Sequence, residues 1–296
     1  MRSQHRKEGE QEGMKRVSRL MAALGAVLLL TVAFPLHPVK AAEVQAGAGA
    51  VDQTLQAELE SYMADLGGTY GVAALGIDDG HLVSINGDEV FPAASMYKLL
   101  VMYRVYQEIE RGELALGDRI TIRESDMAEA AHGDFWPGAS PTVAEALEAM
   151  VTVSSNSAAY ALTRNVGGWD QVVAAAKELG MNSTGLDQLF WSSPADMLRF
   201  FGLLADRSLV SPDASQQMID LLLRQHVNDR IPALLPGDIQ VAHKTGELSR
   251  VRNDGGIVYG PEGAYLLVVM SCGIDPPEAV AAESEISRMV YDRLGA

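Results

Sequence analysis

The sequence predicts an α+β fold in which both ends of the chain supply one antiparallel sheet and an all-helical lobe is inserted between them. Three observations carry this. Strand-like apolar runs occur near residues 70–85 and return after residue 239, the long stretch between them has helical spacing, and the last segment reads as a helix.

Taken in order, Val51 to Leu66 places apolar residues at helical spacing, and Tyr70 to Ile77 and His81 to Ile85 read as two strands joined at Asp79-Gly80. From about Ser95 to Leu223 helical periodicity dominates, over Tyr97 to Arg111, Thr142 to Val153, Asn156 to Asn165, Trp169 to Leu179 and Pro194 to Leu204. Strand-like runs then cover Ile239 to His243, Gly256 to Tyr259 and Ala264 to Met270, before a helix from Pro277 to Arg293. The expected division of 51–296 is a sheet lobe, 51–94 and 225–296, and a helical lobe, 95–224. A cleft between two such lobes is the first place to look for a site.

Ahead of this domain, Lys15, Arg16 and Arg19 form a positive segment, Leu20 to Phe34 an apolar one, and Val39-Lys40-Ala41 a small-residue cleavage site. Residues 1–41 therefore read as an export signal, with Met14 as an alternative start, and 42–50 as a small-residue linker. A membrane span is the competing reading, but the apolar run stops at Pro35, short of the roughly 20 residues a bilayer core needs. No cysteine lies near the signal to accept a lipid, so no stable membrane anchor is expected after cleavage. The mature chain is expected in the periplasm or outside the cell, as a monomer.

The chain has 296 residues, 48% of them hydrophobic and 21% charged, which suits a globular domain with a sizeable core. Its formal charge of −16 excludes a nucleic-acid partner, which needs a basic patch to neutralise phosphates. Loss of residues 1–41 makes the charge −20. Cys272 is the only cysteine, so no internal disulfide forms.

Three short motifs bear chemistry. Ser95 and Lys98 stand three residues apart at the start of a helical pattern, so their side chains share one face near the positive helix end. A serine hydroxyl needs a base to become a nucleophile, and a lysine with a depressed pKa is one such base. Alone, the pair also reads as an N-cap serine with a solvated lysine. Ser154 and Asn156 follow a helix ending near Val153, where Ser and Asn commonly cap the next helix; the functional alternative is a proton-passing hydroxyl and an amide that holds a substrate amide. Lys244-Thr245-Gly246 stands at the end of the strand Ile239 to His243. It offers a fixed charge, a hydroxyl donor and a glycine that lets substrate backbone approach, or else a polar turn with glycine at its tip.

Together the motifs fall in the order Ser-x-x-Lys, Ser-x-Asn, Lys-Thr-Gly, the motif set of class A β-lactamases and penicillin-binding proteins. The chain resembles that family from about Val51 to its C-terminus, with Phe91 to Leu99 similar to the nucleophile segment and Arg252-Asn253-Asp254 to the entrance of the following strand. The resemblance implies a five-stranded antiparallel sheet with terminal helices packed on it, plus the helical lobe. It implies that Ser95 attacks a carbonyl, that Lys98 takes its proton, and that Ser154 protonates the leaving nitrogen beside Lys244. Asn156 would bind the acyl side-chain amide, Thr245 and Arg252 the substrate carboxylate, and the backbone N–H groups of Ser95 and Glu247 the oxyanion. The implied substrate is a β-lactam or a peptidoglycan peptide. No cofactor and no metal are implied, and the sequence has no clustered His or Cys ligand set.

Three departures from the family stand out. Ser155 occupies the middle motif position where the family has aspartate. The segment Met181 to Ser193 is shorter than the family's loop and lacks its water-activating glutamate, leaving Asp187 as the candidate deacylation base and Gln188 beside it. Glu247 puts a carboxylate next to the expected site of an anionic substrate. Two neighbours have bland readings: His243 as a strand-end side chain, and Trp136 as loop packing rather than an aromatic wall of the cleft.

Overall fold

The computed structural model describes residues 50–127, 129 and 134–296. The expected export signal and nearly all of the linker lie outside the described residues.

Helix starts follow local chemistry. Asp52 accepts from the Leu55 amide at 3.0 Å to open α1 (Gln53–Ala64). Strands β1 (Thr69–Gly76) and β2 (Leu82–Ile85) follow, then the two-residue β3 (Phe91–Pro92) and a 3-10 turn, Ala94–Tyr97, running into α2 (Lys98–Glu110). Thr142 and Glu145 form a reciprocal capping box ahead of α3 (Val143–Thr152), and Ser155 caps α4 (Asn156–Asn165). After α5 (Trp169–Glu178) comes a small hairpin, β4 (Gly185–Leu186) and β5 (Phe190–Ser192). Ser193-Pro194 and Ser211-Pro212 then each place a capping hydroxyl before a first-turn proline, starting α6 (Pro194–Ala205) and α7 (Pro212–Leu222). The chain closes with β6 (Gln240–Leu248), β7 (Val251–Gly260), β8 (Gly263–Cys272) and α8 (Pro276–Leu294).

The main sheet is antiparallel and five-stranded, in the order β2-β1-β8-β7-β6. Both chain ends supply it, as predicted, because β1 pairs with β8 in the register Val72↔Val269. Alternate residues divide between two cores. Tyr70, Val72 and Ala74 of β1 and Tyr265, Leu267 and Val269 of β8 pack with residues of α1 and α8. Ala73 and Leu75, with Leu266, Val268 and Met270, pack with residues of α6 and the other inserted helices. A sheet covered on both faces explains why its strands read as continuous apolar runs.

The structure extends two strands beyond their predicted bounds. β6 was expected to end at His243 and β7 to begin at Gly256, but the two pair through Lys244↔Gly255, Thr245↔Asp254 and Gly246↔Asn253. Lys244-Thr245-Gly246 is thus neither the end of a strand nor a turn. Apolar patterning stopped where buried, hydrogen-bonded polar residues take over the strand. The sequence reading also missed β3, β4 and β5, which form a separate three-stranded sheet too short to leave a pattern. Among the described residues no helix is long and apolar enough to cross a membrane.

Candidate active site

The site is built on the 3-10 turn that carries Ser95. Ala94, the residue before it, is held at a φ of 48°, a left-handed conformation costly for a side chain with a Cβ. Its surroundings impose it. The Ala93 amide donates to the Phe190 carbonyl at 2.7 Å, and Asn253 of β7 donates to the carbonyls of Pro92 and Ala93 at 2.9 and 3.2 Å. Gly246 supplies the fourth constraint, since a Cβ there would lie 2.8 Å from the Ala93 carbonyl oxygen. Besides the approach of substrate expected of it, this glycine thus permits the close approach of β6 to the Ser95 turn. Ser95 is not a helix cap, because neither that turn nor α2 has a side-chain cap.

Lys98 opens α2 and is fully buried. Its Nζ donates to the Ser154 carbonyl at 2.5 Å, to Ser154 Oγ at 3.1 Å and to Asn156 Oδ1 at 2.6 Å. Burial pulls its pKa down to about 7, against the opposing pull of the Asp134 and Glu129 carboxylates. From the other side, Lys244 Nζ donates to Ser154 Oγ at 3.1 Å and to the Thr245 carbonyl at 2.8 Å. Burial, and then repulsion from Lys98, push the Lys244 pKa well below the ordinary lysine value. One hydroxyl thus stands between the two lysine side-chain nitrogens, on a residue whose φ is 59°.

Ser155 is the helix cap that the segment's pattern allows, and it also reaches a carboxylate the sequence did not point to. Its Oγ accepts from the Ala158 amide at 3.2 Å as the cap of α4, and donates to Asp134 Oδ1. The same carboxylate oxygen accepts from the amide and the hydroxyl of Ser157, each at 3.0 Å. Asn156 donates through Nδ2 to the Glu129 carbonyl at 2.7 Å.

On β6, alternation turns Lys244 and Gly246 to one face and His243 and Thr245 to the other. His243 bonds to Asp254 at 2.9 Å through Nδ1 and to Asn228 at 2.9 Å through Nε2, a buried tie between segments. Arg230, which sequence reasoning missed, is wholly buried and pairs with Glu247. Burial pushes the Glu247 carboxyl up, but the Arg230 guanidinium outweighs it and holds the carboxyl below its usual range. The charge that seemed awkward in the sequence is therefore paired. Arg252 turns its guanidinium onto the carbonyls of Leu248 and Val251, both at 2.8 Å.

Ser95 opens onto a cleft of about 280 Å³ that Asn156, Glu129, Gln188, Leu189 and Glu247 also line. Its aromatic wall consists of Tyr97, Tyr160, Trp169 and Phe190, with Tyr97 stacked on Phe190 at 4.8 Å. Trp136 is 70% exposed and does not line the cleft, so it serves neither as the aromatic wall nor as the loop packing expected of it. Asp187 lies at the tip of the β4–β5 hairpin, exposed and outside the cleft lining, whereas its neighbour Gln188 faces in.

Comparison with known proteins agrees with this architecture. The model of the β-lactamase enzyme family matches residues 51–294. A β-lactamase of Streptomyces albus G is 26% identical over 256 residues, covering 77% of this chain and 81% of that protein. The solved structure of PBP-A superposes with a TM-score of 0.79 at 26% identity, over 82% of this chain and 97% of that one. A PBP-A mutant solved as an acyl-enzyme complex with penicillin-G gives 0.78 at 25% identity, over the same shares. Fold, motif geometry and these matches agree that the chain belongs to the β-lactamase enzyme family and is a serine hydrolase of that kind.

Proposed function

We propose that the protein opens β-lactam amides through an acyl-enzyme on Ser95. The observation that carries this reading is the convergence of Lys98 and Lys244 on Ser154 Oγ, beside a cleft that Ser95 lines. With a pKa of about 7, Lys98 is neutral in much of the population at neutral pH and has a lone pair for the Ser95 proton. Ser95 Oγ then bonds to the lactam carbon, with the backbone amides of Ser95 and Glu247 as oxyanion donors. The C–N bond breaks as Ser154 passes a proton to the nitrogen, and Ser154 is reprotonated from Lys98 with Lys244 fixing its position. Asn156 holds the acyl side-chain amide. Thr245 of β6 and Arg252 of β7 take the substrate carboxylate, with Gly246 keeping β6 against the nucleophile turn. Water finally releases the acyl group, for which Asp187 is the candidate base in sequence. The protein acts as an exported monomer.

A second reading, a penicillin-binding peptidase acting on peptidoglycan peptides, uses the same residues and differs in clearing the adduct slowly. The exposed position of Asp187 and the likeness to PBP-A favour it. Intact-protein mass, followed alongside hydrolysis of a chromogenic cephalosporin, separates the two. Turnover that disappears in Ser95→Ala supports β-lactamase action. A stable adduct on Ser95 without turnover selects the peptidase or a non-turnover sensor of penicillin or cell-wall peptide, and neither adduct nor turnover rejects all three.

A further inference from the structure

We infer that Asp134 is a positioning residue that replaces the aspartate missing from the Ser154-Ser155-Asn156 motif, holding the first turn of α4 from the facing loop. The inference rests on the reading of Ser95 as an acyl-transfer nucleophile.

The family places a carboxylate at the middle motif position, and this chain has Ser155 there. The structure shows the reciprocal arrangement. Ser155 and Ser157 are 4% and 0% exposed, and both hydroxyls donate to Asp134 Oδ1, as does the Ser157 amide. The Phe135 amide donates to Ser157 Oγ at 3.0 Å, which closes the network onto the loop. A carboxylate meeting the N-terminal turn of a helix gains from the helix dipole and from charge-assisted hydrogen bonds. The loop supplies that carboxylate and the helix supplies the hydroxyls, so the partners have exchanged sides.

The consequence for the site follows from chain adjacency. Asn156 lies between the two anchored serines, and Ser154 lies immediately before them at a φ of 59°. These two residues provide all three acceptors of Lys98 described above. A left-handed residue of this kind is strained and persists only when its surroundings over-determine it. Asp134 is part of that determination. It also contributes charge: with Glu129 it opposes the loss of the Lys98 proton that burial promotes, Lys244 of β6 faces the same Ser154 hydroxyl, and the phenols of Tyr97 and Tyr160 near this cluster stay protonated.

The test uses the full chain with Asp134→Asn and the exchange variant Asp134→Ser/Ser155→Asp. Two quantities are read: the acylation rate constant against pH with a chromogenic cephalosporin, and the Lys98 titration by ¹³C NMR of ε-labelled lysine. Asp134→Asn is expected to slow acylation about 10- to 100-fold through misplacement of the reacting groups. It is also expected to move the Lys98 midpoint to lower pH, since a carboxylate near an ammonium raises its pKa. The exchange variant should recover most of both losses. A wild-type rate and an unmoved midpoint in Asp134→Asn would overturn the inference. So would a folded exchange variant no better than the single one, which would mark the network as fold support alone. Should Asp134→Asn fail to fold, the exchange variant decides by the same readouts. The titration needs no substrate, so a wild type that neither forms an adduct nor turns over would reject the acyl-transfer reading while the midpoint still decides whether Asp134 acts on Lys98.

Discussion

The two sides of the cleft are built to different standards. On the side of Ser95, Lys98, Ser154 and Lys244, the lysines are fully buried and the backbone is held at two left-handed residues by β6, β7 and α4. On the side of the β4–β5 hairpin, the strands have two and three residues, and the acid at the tip is exposed and not part of the cleft lining. In the proposed reaction the first side forms the acyl bond, and the second is where water would be activated to break it. Rigid placement belongs to the first half of the reaction, and the second half rests on a small, exposed element.

The variant that breaks this comparison most severely is Lys98→Met. Loss of the base should lower acylation about 10²- to 10⁴-fold, measured by adduct formation against wild type. The same change should alter stability in a pH-dependent way. Unfolded Lys98 keeps its proton up to its ordinary value of 10.5, whereas the folded state releases it near 7. Between those values the unfolded state binds more protons, so wild-type stability rises with pH, and the full penalty of burial stands below pH 7. Lys98→Met should therefore raise Tm more at pH 6 than at pH 9, as calorimetry at both values will show.

Next in size is Gly246→Ala. A Cβ 2.8 Å from the Ala93 carbonyl must displace the turn that carries Ser95, with about a 100-fold loss of acylation and a small change in Tm. An unchanged rate would show that the close approach of β6 does not set the nucleophile. The smallest effect sharpens the other side. Gln188 already lines the cleft, and Gln188→Glu places a carboxylate there. It should speed adduct clearance about tenfold in a single-turnover chase, with acylation nearly unchanged.

The same contrast explains what the sequence revealed. That Lys98, Ser154 and Lys244 would meet beside Ser95 was legible in three short motifs of fixed residue type and spacing, and the sheet because strands buried on both faces are apolar throughout. Arg230 was not legible. A lone arginine among polar residues reads as solvated, and only the folded chain shows it fully buried beside Glu247. Asn253 stood in a recognised segment, but its bonds to Pro92 and Ala93 join distant parts of the chain, and no local pattern records them. The extent of β6 and β7 was hidden for a related reason: Lys244, Thr245 and Asp254 are polar by type and buried by context.

The pairing of β1 with β8 also has a consequence for how the chain folds. Val72 meets Val269, and Arg293 near the end of α8 donates to Asp52 at the start of α1, at 2.6 Å. The N-terminal hairpin therefore has no partner for its inner edge until nearly the whole polypeptide has been made. Contacts this distant in sequence are slow to form, because loop closure must come before they contribute. An incomplete chain leaves that edge open, and folding completes only when the last strand arrives. For the same reason the two ends of the domain finish side by side. A short linker from residue 296 back to residue 51, with new termini in an exposed loop of the helical insert, should give a permuted chain that still folds and in which β1, β8 and the Ser95 turn fold in a different order.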